Sequence, residues 1–277
     1  MKEKELINYN YGDISIKKVS NGWIVLEGSH HEEDKIMFDT IFLTNKINPD
    51  QIKIYPCEVT PYTVIEKWHK NGRYTPYADK DPRLLIDVVK YAMEICPPWI
   101  RVPRIIRDIP LEYIKGGNKY SNLRQMITQE MEKEGKYTNE IRSREIGRNI
   151  DYKYEDAEYT IRSYQTSDGG TEYFISLESK DKRVIFGFIR LRIPPKIHTP
   201  VFKCLINKGL VRELHVYNNL MCVGEKARKD SNSTQHRGTG KTLLNMAEWI
   251  AWREGTDGTA VITGEGVRSY YHKRGYI

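Results

Sequence analysis

Toward the C-terminal end of the chain stands Gln235-His236-Arg237-Gly238-Thr239-Gly240, followed directly by Lys241-Thr242-Leu243-Leu244. No other stretch constrains the fold as much. Two glycines two apart let backbone N–H groups approach an anion with no Cβ in the way. The residues after them predict a helix, because Leu243, Leu244, Ala247, Ile250 and Ala251 fall on one face. A helix start offers unpaired N–H groups and the positive end of the macrodipole. Loop and helix together make a cradle for a pyrophosphate; a plain glycine-rich turn is the alternative reading. Two other phosphate motifs fail. A P-loop needs glycine where Gln235 stands, and the dinucleotide pattern G-x-G-x-x-G needs glycine where Leu243 stands.

With 277 residues the chain has room for one large or two modest domains with a real core. Its net charge of +7 favours an anionic partner, but charge alone does not separate RNA, coenzyme A and a membrane surface. No run of about 18 apolar residues is present, so no membrane span is expected. Met1-Lys2-Glu3-Lys4-Glu5 lacks the apolar core of a secretory signal. Cys57, Cys96, Cys204 and Cys222 are scattered with no C-x-x-C pair. That usage points to reduced thiols in a cytoplasmic protein and to no cysteine-built metal site.

Along the chain, Trp23-Ile24-Val25-Leu26 and Ile41-Phe42-Leu43 read as short strands, with Asn21-Gly22 as a hairpin turn. Ile52 to Tyr55 reads as a strand and Tyr62 to His69 as a helix. Asp81-Pro82 opens a helix from Arg83 to Ile95 that Pro97-Pro98 stops, with Leu84, Leu85, Val88, Val89, Ala92 and Met93 on its apolar side. Arg101, Arg104 and Arg107 then recur every third residue among apolar neighbours. A regular strand would alternate their faces, so one basic ledge requires an irregular path. The ledge would grip phosphates; solvated arginines over a hydrophobic connector are the alternative. A helix from Leu123 to Glu134, capped by Asn122, leads to a second arginine cluster at Arg142, Arg144 and Arg148. Strands are expected at 159–164, 173–177, 184–192 and 210–217, then the glycine loop and its helix, a strand at 260–263, and a short last helix.

Several runs resemble one family. They are Arg212-Glu213-Leu214-His215-Val216-Tyr217, Gln235-His236-x-Gly238-x-Gly240, and Gly264-x-Gly266-Val267-Arg268-x-Tyr270-Tyr271-x-Lys273-x-Gly275-Tyr276. Further runs are Pro97-Pro98-Trp99-x-Arg101-Val102, Arg107-Asp108-Ile109-Pro110 and Arg144-Glu145-Ile146-Gly147. In order, they resemble the acetyltransferase half of the Elongator catalytic subunit, while Ile52-Lys53-Ile54-Tyr55-Pro56 is similar to the tail of that family's radical-SAM barrel. Such proteins join a radical-SAM domain to a GNAT acetyltransferase domain, bind tRNA, and use acetyl-CoA to modify wobble uridines. The resemblance implies an α/β (α+β) chain. Residues 1–96 would be a degenerate partial radical-SAM-like region, 97–147 a basic linker region contacting tRNA, and 148–277 the GNAT domain. Three departures are visible. No pair of cysteines has the C-x-x-x-C-x-x-C spacing of an iron–sulfur cluster, so no cluster and no radical chemistry are expected. Residues 137–143 lack the zinc-binding cysteines of many members, so no zinc is expected. Ile277 falls where the family continues into a closing strand, so an incomplete substrate side is expected.

Cleaving a thioester needs a nucleophile, a polarised carbonyl and a proton for the leaving thiolate. Tyr270 or Tyr271 is the candidate acid, with Tyr271 favoured. Adjacent helical positions point about 100° apart, so one of them is expected to pack inward. By the resemblance, Glu213 would act as a base; an ion pair is the alternative. His215 shares its face and would relay a proton, or be structural. Gln235, His236, Arg237, Gly238, Thr239, Gly240 and Lys241 would hold the coenzyme. Lys53, Arg101, Arg104, Arg107, Lys115, Arg142 and Arg144 are the tRNA-contact candidates, positioning RNA without reading its sequence. Expected partners are tRNA, acetyl-CoA and Elongator-like or other protein subunits. The expected activity is tRNA-stimulated acetyl-CoA cleavage by an acyltransferase; a protein-lysine acetyltransferase and a non-catalytic tRNA-binding module are the alternatives.

Overall fold

The structure, a computed structural model, describes residues 8–11, 14–17, 24–25, 31–44, 47–147, 152–197, 199–217 and 238–277. The chain is mixed α/β and divides into two units, residues 1–143 and 144–277. The expected turn at Asn21-Gly22 and the residue Arg148 lie outside the described residues.

The first unit begins with an antiparallel pair, β1 (Asn8–Tyr11) and β2 (Ile14–Lys17). Strand β3 (Ile24–Val25) is followed by helix α1 (His31–Phe42) and strand β4 (Gln51–Tyr55). The expected strand at Ile41–Leu43 is instead the end of α1. Met37, Phe38, Ile41 and Phe42 are all buried, a helical spacing that a three-residue window does not reveal. Helices α2 (Val64–Lys70), α3 (Tyr77–Lys80) and α4 (Pro82–Ile95) lead to strand β5 (Arg101–Arg104). The start of α4 follows from its sequence. Asp81 accepts from the Arg83 N–H at 2.8 Å, and Pro82 occupies the first turn, where a missing N–H costs nothing. Strands β3, β4 and β5 pair in parallel, with helices as crossovers.

Helix α5 (Leu123–Lys133) and the single turn α6 (Ile141–Arg144) complete this part of the chain. Asn122 sits at the cap position of α5, but its side chain makes no capping bond. Residues 97–143 do not form a separate linker. Ile100, Val102, Ile105, Leu123, Ile127 and Met131 share one core with Ile52, Ile54, Val88 and Phe38. The buried carboxylate of Glu140 fastens this stretch. It accepts from the N–H groups of Val102 (2.9 Å), Arg142 (2.8 Å) and Ser143 (2.7 Å), from Ser143 Oγ, and from Arg124 Nη1 (2.9 Å).

The second unit is a five-stranded sheet. Strands β6 (Glu158–Gln165), β7 (Thr171–Glu178), β8 (Ile185–Ile193) and β9 (Gly209–Val216) run antiparallel, and β10 (Thr259–Val261) pairs in parallel with β9. Helix α7 (Thr239–Arg253) precedes β10, and α8 (Arg268–His272) follows it. Leu243, Leu244, Ala247, Ile250 and Ala251 are buried against Ile175, Ile189, Leu191 and Val211, as the helical periodicity demands. Elsewhere in this unit, Glu178 takes a two-pronged bond from Arg162 (2.8 and 2.8 Å) and one from Arg144 (3.0 Å). Burial pushes the Glu178 carboxyl up, but the two arginines outweigh it and hold it below the ordinary range.

Removing Glu140 would take the carboxylate from the half-buried Arg124 guanidinium and leave three backbone donors without their acceptor. Glu140→Ala is expected to lower the unfolding free energy by about 3–5 kcal/mol, and Glu140→Gln by less. Urea unfolding of the two variants checks this; equal losses would mean the charge is irrelevant to the anchor.

Candidate functional site

Three elements of the second unit converge at the start of α7. Gly238 caps the helix with φ +80°, a left-handed conformation that glycine adopts without steric cost. A Cβ on Gly240 would stand 2.8 Å from the Tyr270 hydroxyl and 3.6 Å from Val216 Cγ2. Helix start, α8 and the end of β9 therefore meet at a position that only glycine leaves open. Thr239, Gly240 and Lys241 present first-turn N–H groups, the first intrahelical acceptor being Gly238 O, to Thr242 N at 3.0 Å. Beside them β9 and β10 part. Their pairing covers Gly209–Val211 and Thr259–Val261, ending with Ile262 N–H donating to Val211 O at 2.9 Å. Among the described residues no strand pairs with β9 beyond Val211 on that side.

The two tyrosines divide as helical geometry requires. Tyr271, the favoured acid of the sequence reading, is buried in the core with Leu243 and Ala247, edge-on to Tyr276 at 5.8 Å, and burial raises its pKa. Tyr270 instead aims its hydroxyl at Gly240, with the Arg274 guanidinium 3.5 Å above its ring centroid. Tyr270 is thus the tyrosine at the helix start. Lys241 is exposed, whereas Gln235, His236 and Arg237 lie outside the described residues.

Glu213 and His215 do share a face of β9. His215 Nε2 lies 2.9 Å from Glu213 Oε1, and Arg190 Nε donates to Glu213 Oε2 at 2.8 Å. Burial alone would raise the Glu213 carboxyl, but the His215 bond and the Arg190 charge outweigh it and bring the pKa to about 2. A carboxylate that acidic takes up protons poorly at neutral pH, so its surroundings favour an anchoring ion pair over a general base. The His215 ring stacks on Phe188 at 5.4 Å and on Tyr217 at 6.2 Å.

The arginine ledge lies in the first unit. Gln51 pairs with Arg101 and Lys53 with Arg104, so two residues of β4 span three of β5. This irregularity sets Arg101 and Arg104 opposite residues of one face of β4, the irregular path that their spacing demands. Arg107 continues the row, its guanidinium 5.8 Å from the Tyr55 ring centroid. Arg104 is bridged by Asp108 at 3.3 Å, Lys115 is exposed beside the Glu112 carbonyl, and Arg142 donates to the Pro103 carbonyl. Arg144 does not belong to this surface. It is 2% exposed and bound to Glu178, so it is a buried structural charge. Sequence reasoning missed Tyr154, whose hydroxyl lies 2.8 Å from Thr239 Oγ1 across 85 residues of chain, a separation that leaves no local signal. It also missed Arg190, the buried partner of Glu213.

Known proteins are similar to this chain. Residues 49–133 match the Radical_SAM C-terminal domain family. The tRNA uridine(34) acetyltransferase of Dehalococcoides mccartyi is 38% identical over 264 residues, 94% of this chain and 56% of the relative. Elongator complex protein 3 of Homo sapiens is 34% identical over 256 residues, covering 88% of this chain and 44% of that protein. Among solved structures, the Methanocaldococcus infernus Elp3 with an N-terminal deletion (1–46) superposes with a TM-score of 0.79 at 37% identity, over 90% of this chain and 58% of the other. Over most of its own length, the chain is a homologue of Elongator complex protein 3. It spans about half the length of the curated relatives it matches. Among the described residues, no group of three or more His, Cys, Asp or Glu is placed to hold a metal ion, and no helix is long and apolar enough to cross a membrane.

The depressed Glu213 pKa has a consequence for stability. The ion pair stabilises the fold fully above the ordinary carboxylate value of 4.5 and is lost as the pH falls toward about 2. Between pH 6 and pH 3 the wild type is expected to lose about 2 kcal/mol that Glu213→Gln does not lose. Urea melts at the two pH values measure the difference; parallel losses in both proteins would contradict it.

Proposed function

We propose that this chain is an acetyl-CoA-dependent acyltransferase that works with tRNA, as the names of its relatives suggest. Its second unit is read as a GNAT acetyltransferase fold and its first as part of a radical-SAM-like barrel. One observation carries the reading: the N-terminus of α7, with Gly240 open to the Tyr270 hydroxyl, faces the gap where β9 leaves β10. The first-turn N–H groups receive the pyrophosphate of the coenzyme. The edge of β9 beyond Val211, where no described strand pairs, receives the pantetheine amides as an added strand would.

In this site the thioester carbonyl is attacked by water or by an acceptor, and the C–S bond breaks. Tyr270 supplies the proton to the departing thiolate, giving free coenzyme A, and regains one from solvent or the acceptor. Glu213 stays ionised and holds Arg190 and His215 in place. Lys53, Arg101, Arg104, Arg107, Lys115 and Arg142 contact the tRNA backbone from the first unit. The four cysteines do not fit an iron–sulfur cluster, and no step here passes through one.

Release of free thiol from acetyl-CoA, measured with and without total tRNA at low and high salt, tests the reading. The expected result is release that requires tRNA and fades as salt rises. Release that ignores tRNA would move the assignment to a protein or small-amine acetyltransferase; no release beside intact tRNA binding would leave a binding module.

Two variants refine the assignment. Tyr270→Phe is expected to lower kcat about 100-fold while coenzyme A binding is kept, whereas Tyr271→Phe keeps most activity. The reverse order would make Tyr271 the acid. Arg104→Ala is expected to weaken tRNA binding and reduce the salt slope by about one unit, read from filter binding across a salt series.

A further inference from the structure

Three hydroxyls gather at the first turn of α7. Tyr154 Oη and Thr239 Oγ1 are 2.8 Å apart, and Thr242 Oγ1 lies 3.4 Å from the Gly238 carbonyl. Thr239 is 1% exposed, so its hydroxyl is enclosed with this partner rather than solvated. Tyr154 stands in the 3₁₀ turn Tyr154–Asp156 just before β6, its ring edge-on to Phe186 at 5.9 Å. The ring is therefore fixed by packing and the hydroxyl by a bond.

The turn needs such a tie. Helix α7 starts after a left-handed glycine, carries a second glycine at Gly240, and has no side-chain cap at its N-terminus. Glycine gives the unfolded chain more freedom to recover than any other residue, so a start built from two of them frays. Yet Gly240 lies against the Tyr270 hydroxyl, so it cannot be replaced by a better helix former without meeting Tyr270. Rigidity has to come from the residues around it. Thr239 supplies the handle, and Tyr154, in the turn just before β6, holds it.

We propose that Tyr154 is a positioning residue: acting through Thr239, its hydroxyl holds the first turn of α7 in the form that receives the coenzyme's pyrophosphate. The proposal rests on the coenzyme A reading of this site. Tyr154 touches no reacting atom. The pyrophosphate is bound alike before and during thioester cleavage, so loosening its cradle raises KM and leaves kcat unchanged.

The test uses the full chain and the variants Tyr154→Phe, Thr239→Val, Thr239→Ser and the double Tyr154→Phe/Thr239→Val. Coenzyme A affinity is read by calorimetry, KM and kcat by thiol release with tRNA, and amide exchange at Thr242 to Leu244 by hydrogen–deuterium exchange without ligand. Tyr154→Phe and Thr239→Val are each expected to weaken coenzyme binding and raise KM about 5- to 10-fold at unchanged kcat. Both should speed exchange in the first turn. Thr239→Ser keeps the hydroxyl and should stay within about 2-fold of wild type, and the double variant should be no worse than either single one. Wild-type affinity and exchange in Tyr154→Phe, or additive losses in the double variant, would overturn the proposal. A wild-type chain that binds no coenzyme A would overturn the reading of the site and the role proposed for Tyr154 within it. Faster exchange in Tyr154→Phe would then identify the bond as a brace of α7 alone, so the two failures are told apart.

Discussion

Helix α7 can satisfy its apolar face in only one way, by lying across the sheet with Leu243, Leu244, Ala247, Ile250 and Ala251 against Ile175, Ile189, Leu191 and Val211. That burial, worth roughly 1.5–3 kcal/mol for each fully covered large side chain, fixes the helix axis. Once the axis is fixed, the polar end of α7 has nowhere to go but the split between β9 and β10. The first-turn N–H groups, Val216 and Tyr270 come together as a result of core packing, with no separate device needed to gather them.

Carboxylates anchored by arginines recur through the chain. Glu140 gathers the N–H groups of β5 and α6 around the Arg124 ion pair, and Glu178 is clasped by Arg162 and Arg144. Glu213 lies between Arg190 and His215 near the proposed chemistry. In each case a buried or half-buried acid is satisfied by several donors, because an isolated buried charge would cost far more than the pair recovers. The positive net charge of the chain is therefore an incomplete guide to its surface. Arg144 shows why, since a cluster of arginines in sequence includes one that is spent inside the fold.

The basic ledge of the first unit illustrates how a pattern acquires meaning from pairing. A spacing of three does not suit a strand, in which neighbours alternate. The register shift between β4 and β5 absorbs the extra residue and places Arg101 and Arg104 opposite residues of one face, with Lys53 facing Arg104 and Arg107 over Tyr55. An irregular stretch of sheet thereby sets out a row of cations that a regular one would have divided between two faces.

Periodicity and turn chemistry by themselves determined the helix at α4 with its Asp81 cap, the strand succession β6 to β9, the apolar face of α7 and the glycine start of that helix. These are local properties, set by side chains within a few residues of one another. The short helix end at Ile41–Phe42 was illegible because three apolar residues carry no period. Which tyrosine reaches the helix start was also undecided, since Tyr270 and Tyr271 are equivalent until one face of α8 is buried. The tertiary structure alone decided that Arg144 is internal, that Glu213 is held by Arg190, and that the Tyr154 hydroxyl meets that of Thr239. Each depends on contacts between segments more than twenty residues apart, and such contacts are set by how the core closes, which no short stretch of sequence encodes.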